Sequence, residues 1–377
     1  MSAPRPVVVL GATGSIGTQT LQVADRLGLH VVGIATRRPS DRLVQLAERY
    51  PDAALATVEE PAGDLPTPVT RRLATGVDAI DAMAATPGTV VVNGVVGCAG
   101  LRPSLAALAA GNRLALANKE TLVAGGTLVL DAAAAGGGAI VPVDSEHSAI
   151  WQCLVGEPGG LARLVLTASG GPLRGRSAAA METVTVAEAL AHPTWEMGPR
   201  ITVDSATMMN KALEVIEAHH LFGIDYDAID VVVHPQSVIH SLVEFVDGSV
   251  KAQLGEPDMR VPIQYALTGP QRRPGTAAPL DLAGRELTFA APDRIAFPCL
   301  DLGFLAGRRG GIAPAVLNAA DEVAVAAFLD GKIGFADIAR TVEAVLERTA
   351  DRSPASVAEV LDADAAARRL STELLPG

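Results

Sequence analysis

Short apolar runs recur through the first third of this chain, each closed by glycine or a polar turn. Residues 7–10, 31–35, 89–92 and 114–117 carry almost no charged side chain, the pattern of parallel strands covered on both faces. Ala-rich helical stretches separate them, so the N-terminal part predicts a doubly wound α/β sheet. A further run, 139–143, ends on two acids, Asp144 and Glu146. Read as one strand, positions i and i+2 would point both to one face. Beyond it, 161–167, 231–233, 238–246 and 249–254 predict a second sheet, the last two strands joined by the hairpin dipeptide Asp247-Gly248. Residues 205–217 lack Gly and Pro and predict one helix. The Pro-, Gly- and Arg-rich stretch 269–298 reads as a connector. After Pro314, helical patterns at 315–329, 335–349 and 354–370 predict a small bundle.

Composition narrows the class. At 377 residues the chain is long enough for two or three domains. Its 49% hydrophobic content with 3% aromatic means a core of Ala, Val, Leu and Ile. A net charge of −12 argues against a nucleic-acid surface, so an anionic ligand needs a local exception to that field. Cys98, Cys153 and Cys299 are odd in number and far apart, which excludes a disulfide framework and a CxxC metal site. The start reads directly into a strand rather than a signal peptide. Residues 123–143 come nearest to a membrane span, but Asp131, Pro142 and three consecutive glycines interrupt them. A cytoplasmic protein without a membrane or nucleic-acid partner is the expectation.

Gly11-Ala12-Thr13-Gly14-Ser15-Ile16-Gly17 lies between the first strand and a helix over 18–27. Strand, glycine turn and helix open a nucleotide-binding unit, with Thr13, Gly14, Ser15 and Ile16 nearest the phosphates. About twenty residues on, where an NAD enzyme places an acid, stand Thr36, Arg37 and Arg38. Two cations there favour a 2′-phosphate, hence NADPH; solvated surface arginines are the alternative. Asn118, Lys119 and Glu120 follow another strand end, as ligand contacts or as a solvated turn.

Asp144, Glu146 and Glu214 interrupt apolar surroundings. Burying anionic oxygens costs several kcal/mol unless a counter-charge joins them. A divalent metal would do so, and all-oxygen ligands with His147 as the one nitrogen candidate favour Mg²⁺ or Mn²⁺ over zinc. A salt-bridge network with Lys211 and arginines is the bland alternative. On a helix of 100° per residue, Asn210, Lys211 and Glu214 form a polar stripe among Met208, Met209, Leu213, Val215 and Ile216. Trp195, flanked by Pro and Gly, is a core anchor or the tip of a lid. His234 and His240 lack acidic or Cys partners at ligand spacing and read as hydrogen-bonded structural groups.

Several long motifs occur together: the glycine turn, Leu116-Ala117-Asn118-Lys119-Glu120, Val143-Asp144-Ser145-Glu146-His147-Ser148, Ser169-Gly170-Gly171-Pro172, His192-Pro193-Thr194-Trp195, the run from Asp204 to Lys211, and the run from Leu254 to Arg260. In this order, across nearly the whole chain, they closely resemble the 1-deoxy-D-xylulose 5-phosphate reductoisomerase family. The resemblance implies NADPH-dependent rearrangement and reduction of 1-deoxy-D-xylulose 5-phosphate to 2-C-methyl-D-erythritol 4-phosphate, in isoprenoid precursor synthesis, by a homodimer. It implies an NADPH domain over 1–143, a catalytic α+β domain over 144–268 with a lid at 170–199, a connector over 269–300 and a C-terminal helical domain over 301–377. Asp144, Glu146 and Glu214 would hold Mg²⁺ or Mn²⁺, with Glu217 in support. Ser169, Ser205, Asn210 and Lys211 would bind the phosphate, and Ser145, His192 and Trp195 would hold and cover the substrate. Lys119, Met197 and Gly198 would lie near the nicotinamide. Three positions depart from or vary within the family pattern: Ala212 where Gly is usual, Asp321 where Asn is commoner, and the variable Glu196 beside Trp195.

Two other readings compete. A metal-independent NADP dehydrogenase would use the carboxylates in salt bridges, and a non-catalytic NADPH sensor would keep only the cofactor loop.

Overall fold

The computed structural model describes residues 4–375 except 158, 196 and 276. The chain forms two compact units. One comprises Met1–Thr121, Thr127–Ser148 and Asp258–Ala277; the other comprises Leu122–Gly126, Ala149–Pro257 and Ala278–Gly377.

The first unit is built on seven strands: β1 (Val7–Leu10), β2 (Val31–Thr36), β3 (Ala54–Thr57), β4 (Leu73–Thr75), β5 (Val90–Asn93), β6 (Arg113–Leu116) and β7 (Ala139–Pro142). They lie in the order β4-β3-β2-β1-β5-β6-β7, and every pairing is parallel. All four residues of β1 and of β5 are buried, as expected where helices cover both faces of a parallel sheet. The order reverses between β1 and β5, so the carboxyl ends of these strands flank the switch point at which such sheets bind ligands.

The second unit has a four-stranded sheet of β8 (Leu161–Ala168), β9 (Ile229–Val233), β10 (Ile239–Phe245) and β11 (Val250–Leu254), in the order β11-β10-β8-β9. β10 runs antiparallel to β8 and β11, while β8 and β9 are parallel. Four long helices follow: Cys299–Arg309, Ala313–Leu329, Phe335–Arg348 and Val357–Leu374. Their apolar faces join the helix Met209–Phe222 in one core, including Leu213, Ile216, Leu300, Leu317, Val342 and Leu346. The 170–199 stretch carries two short helices, Ala178–Met181 and Val186–Leu190, the second closed by a Thr185/Glu188 capping box.

Three elements differ from the sequence reading. β7 stops at Pro142, and a helix, Ser145–Leu154, begins at once. The Ser148 N–H donates to the Asp144 carbonyl at 2.8 Å, and acidic groups at a helix start are favoured by its dipole. Asp144 therefore sits at the junction and Glu146 in the first helical turn; their common location does not come from strand alternation. The expected helix over 205–217 is two helices, Pro199–Thr207 and Met209–Phe222, broken at Met208, whose φ is +62°. Every residue there tolerates a helix, so helix propensity does not specify the break; Met208 is 3% exposed, which ties it to the packing around it, and the Thr207 hydroxyl accepts from the Met209 N–H at 3.2 Å across it. Finally, Cys299–Arg309 is helical despite Gly303 and Gly307. A Cβ on Gly303 would stand 2.4 Å from that of Ala212, and one on Gly307 would stand 2.6 Å from the Tyr226 ring. The glycines are contact points, and Ala212, the departure from the family pattern, is accommodated by Gly303.

Among the described residues no helix is long and apolar enough to cross a membrane; the helix Glu120–Gly136 is kinked at Gly126.

Candidate active site

In the first unit the candidate residues gather where the parallel strands end. After β1, Gly11 has φ +77°, and a Cβ there would come within 2.6 Å of the Gly94 carbonyl. The Gly11 and Ala12 N–H groups donate to the Ala35 carbonyl at 2.9 and 3.0 Å, which pins the turn to β2. Gly17 lets the helix Ser15–Leu27 approach: a Cβ would lie 2.3 Å from the Gly11 carbonyl oxygen. Thr13, Gly14 and Ser15 are exposed and Ile16 half-buried. No side chain caps this helix, and its first turn holds no acid, so its leading N–H groups are suited to a phosphate.

Arg37 and Arg38 follow β2 and are exposed. The Arg37 Nε lies 2.9 Å from Glu59 Oε1, an acid that the local sequence did not place there. Such a surface pair is worth about 0–1 kcal/mol, so Arg37 is readily redirected to a phosphate.

After β6, Asn118 is buried and its amide is engaged within the protein. Nδ2 donates to the Val95 carbonyl at 2.7 Å, the Gly97 carbonyl at 3.0 Å and Glu120 Oε2 at 3.1 Å. Glu120 Oε1 in turn accepts from the Gly97 N–H at 3.1 Å. Asn118 and Glu120 thus latch the loop after β5, at the switch point. The sequence reading missed that loop, although Asn93-Gly94-Val95-Val96-Gly97 after a buried strand was a usable signal. Lys119 Nζ meets Asp144 Oδ2 at 2.5 Å with both side chains largely buried, and Ser145 donates to the Glu146 carboxylate.

In the second unit, Ser169 follows β8 and precedes two left-handed glycines, Gly170 at φ +81° and Gly171 at φ +65°. His192 Nδ1 accepts from the N–H groups of Thr194 at 3.1 Å and Trp195 at 2.9 Å. Its proton therefore sits on Nε2 and is donated to Ser169 Oγ at 3.1 Å. Burial lowers the His192 pKa, favouring this neutral form. Ser169 Oγ also accepts from the Gly171 N–H at 3.1 Å. With two donors aimed at its oxygen, its own O–H is the group left to offer to an anion. Gly171 abuts the Ser205 carbonyl, which a Cβ would approach to 2.7 Å, so the Ser169 turn and the Ser205 helix are packed together. Trp195 and Met197 are half-buried, against the core-anchor reading of Trp195, and Gly198 is the N-cap of the Ser205 helix. Glu196 lies outside the described residues.

After the break at Met208, Asn210 Nδ2 donates to Glu214 Oε1 at 2.6 Å, and the Lys211 ammonium pairs with the other oxygen. Lys211 is 4% and Glu214 1% exposed. Glu217, one turn on, is fully buried. His240 is neutral: burial first, then the charges of His234 and Lys211, lower it to about 4. His234 accepts from the N–H groups of Val238 and Ile239 at 3.2 Å, the structural role its sequence context predicted.

The donor chemistry fits a hard cation. Asp144 and Glu214 are low-exposure carboxylates, each already met by an ammonium group, and with Glu146 they offer oxygen alone. The glycine turn and the uncapped helix after it fit a dinucleotide phosphate.

Three family signatures match: a 1-deoxy-D-xylulose 5-phosphate reductoisomerase region over residues 7–126, its C-terminal domain over 140–222, and a second C-terminal domain over 254–370. A reductoisomerase of that name from Thermosynechococcus vestitus is 51% identical, covering 99% of this chain and 94% of its own. One from Xanthomonas axonopodis is 49% identical, covering 99% and 98%. The Zymomonas mobilis enzyme, solved in complex with NADPH, is 44% identical with a TM-score of 0.90 over 99% of both chains. A DOX-P reductoisomerase solved with NADPH, fosmidomycin and magnesium is 39% identical with a TM-score of 0.91 over 98% of both. This chain belongs to the 1-deoxy-D-xylulose 5-phosphate reductoisomerase family.

Proposed function

We propose that the protein converts 1-deoxy-D-xylulose 5-phosphate to 2-C-methyl-D-erythritol 4-phosphate, using NADPH and a divalent cation. The observation that carries this reading is Glu214, a carboxylate 1% exposed and held by Asn210 and Lys211, in a chain that matches the family from end to end. Asp144, Glu146 and Glu214 are the proposed ligands of the cation, which is magnesium or manganese. When bound, the cation supplies charge to polarise neighbouring substrate oxygens, and NADPH supplies the hydride.

The chain's own groups do the rest. Ser169 offers its O–H to the substrate phosphate, with His192 fixing the hydroxyl from behind. Ser205, Asn210 and Lys211 complete that pocket and provide the local positive exception that a −12 chain needs. Phosphate contacts remote from the reacting carbons supply binding energy that aligns two fragments during the ketol rearrangement. Ser145, His192 and Trp195 hold and cover the sugar, with 170–199 as a lid that excludes water. Thr13, Gly14, Ser15 and Ile16 receive the dinucleotide phosphates, and Arg37 and Arg38 read the 2′-phosphate. Asn118 and Glu120 keep the cofactor loop in place, while Lys119, Met197 and Gly198 border the nicotinamide. The domain limits given by the sequence, a homodimer, a cytoplasmic location and a place in isoprenoid precursor synthesis complete the reading.

Exhaustive chelation with EDTA is expected to abolish NADPH oxidation in the presence of the sugar phosphate, and added Mg²⁺ or Mn²⁺ to restore it. Undiminished turnover after chelation would remove the cation from the mechanism.

A further inference from the structure

Behind the Ser205 helix the second unit buries two carboxyl groups that the reaction does not use. Asp204, beside Ser205, is 4% exposed, and Asp321, on the helix Ala313–Leu329, is fully buried. Neither Asp321 oxygen accepts from any N–H or O–H donor among the described residues, and the Asp204 carboxylate is the charge that acts on it most strongly. Two carboxylates cannot bond to each other, whereas a carboxylic acid and a carboxylate can. We infer that Asp204 and Asp321 share one proton, and that this bond is a positioning element tying the helix that carries Ser205 to the helix Ala313–Leu329.

The surroundings agree. Arg200, on the Ser205 helix, has Nε 3.6 Å from Asp204 Oδ2 and Nη1 3.0 Å from Glu322 Oε1, and donates from Nη2 to Asn318 Oδ1 at 3.0 Å. One guanidinium thus faces two acids on one side of the pair. From the helix Val357–Leu374, Arg368 meets Glu322 at 2.6 Å and Asp364 at 2.7 Å, so Glu322 has its own second cation. From Cys299–Arg309 comes the Cys299 thiol, pushed up by burial and then by Asp321 and Asp204, which keeps it neutral. The helix Phe335–Arg348 meets Ala313–Leu329 through an apolar contact, Phe335 on Phe328, with ring centroids 5.6 Å apart. Burial first, then the Asp204 carboxylate, raises the Asp321 pKa well above the usual range, with Arg200 opposing.

The sign of the pH effect follows. The unfolded chain releases the Asp321 proton near pH 4, and the folded chain keeps it to higher pH. Between those two values the native state binds the extra proton, so this pair's contribution to stability falls as pH rises. Above the folded value, two adjacent anions push the Ser205 helix from its support. Asp321→Asn replaces the shared proton by an amide donor of the same shape, which does not titrate.

The test compares the parent with Asp321→Asn, and with Asp204→Asn as the second variant. The infrared band of a protonated carboxyl is expected at neutral pH in the parent and is expected to be lost in both variants. The Tm advantage of Asp321→Asn over the parent is expected to widen from about pH 5 to about pH 9. Resting on the function proposed above, KM for the sugar phosphate is expected to climb about tenfold in the parent at alkaline pH and to stay level in Asp321→Asn, with KM for NADPH alike in both. Parallel Tm curves, or an acid band unchanged in both variants, would overturn the shared proton. Diverging Tm curves with matching sugar-phosphate KM profiles would overturn the positioning role. A parent with no turnover at all would instead sink the proposed function, and the Tm and infrared results would still decide the proton.

Discussion

The candidate residues of the two units are positioned by opposite means. Asn118–Glu120 and Asp144–Glu146 stand at the ends of parallel strands, where the sheet itself delivers polar groups to one edge. Ser205, Asn210, Lys211 and Glu214 are placed by a fault in a helix, the left-handed Met208, held by close packing against Ala313–Leu329 and Cys299–Arg309. Strand ends tolerate change as long as the register holds. A broken helix depends on its neighbours, because nothing local specifies the break.

Glu214→Ala should have the largest effect, since it strands a buried ammonium and removes a proposed cation ligand. Turnover is expected to fall by about three orders of magnitude, while NADPH affinity, a property of the first unit, stays near the parent value; fluorescence titration alongside steady-state kinetics separates the two. Gly303→Ala attacks the support of the broken helix. Its Cβ would sit 2.4 Å from that of Ala212, so a loss of about 1–3 kcal/mol is expected in urea unfolding, and adding Ala212→Gly should recover most of it. No recovery would mean that the two helices do not meet at these residues. Arg37→Ala probes the first unit more gently: KM for NADPH should rise about three- to tenfold while KM for NADH barely changes, because only the proposed contact with the 2′-phosphate is removed. An equal rise for both cofactors would take Arg37 out of that contact.

The smallest effect concerns His220 and His240, both in the second unit, each lowered to about 4, by burial first. The unfolded chain protonates them near pH 6.5, so between about 6.5 and about 4 it binds more protons than the native state. Stability should fall as pH drops through that window. His220→Asn should flatten the acid limb of Tm against pH, and an unaltered limb would show that burial at this position does not govern it.

Much of the first unit was legible because its signals are local. Continuous apolar runs mark strands covered on both faces, and the glycines between β1 and its helix are required by the 2.3 and 2.6 Å approaches at Gly17 and Gly11. The loop after β5 carried a comparable glycine signal and was overlooked. The junction at Asp144 was misread because Val143 extends the apolar pattern past Pro142, the last paired residue. The contacts of His192 depend on backbone N–H groups two and three residues ahead, whose direction no residue pattern encodes.

Read alone, the order of amino acids established an α/β protein, a glycine-rich turn after the first strand, a set of acids in apolar company and the family to which the chain belongs. Strand and helix periodicity, turn chemistry and long motifs are written in neighbouring residues. Only the folded chain decided that Met208 breaks a helix, that Asn118 and Glu120 hold the 95–97 loop, that Glu59 reaches Arg37, and that Asp321 is buried against Asp204. Each of these joins residues distant in sequence or imposes a conformation that local propensity does not favour, and its energy comes from packing and desolvation that exist only once both partners are in place.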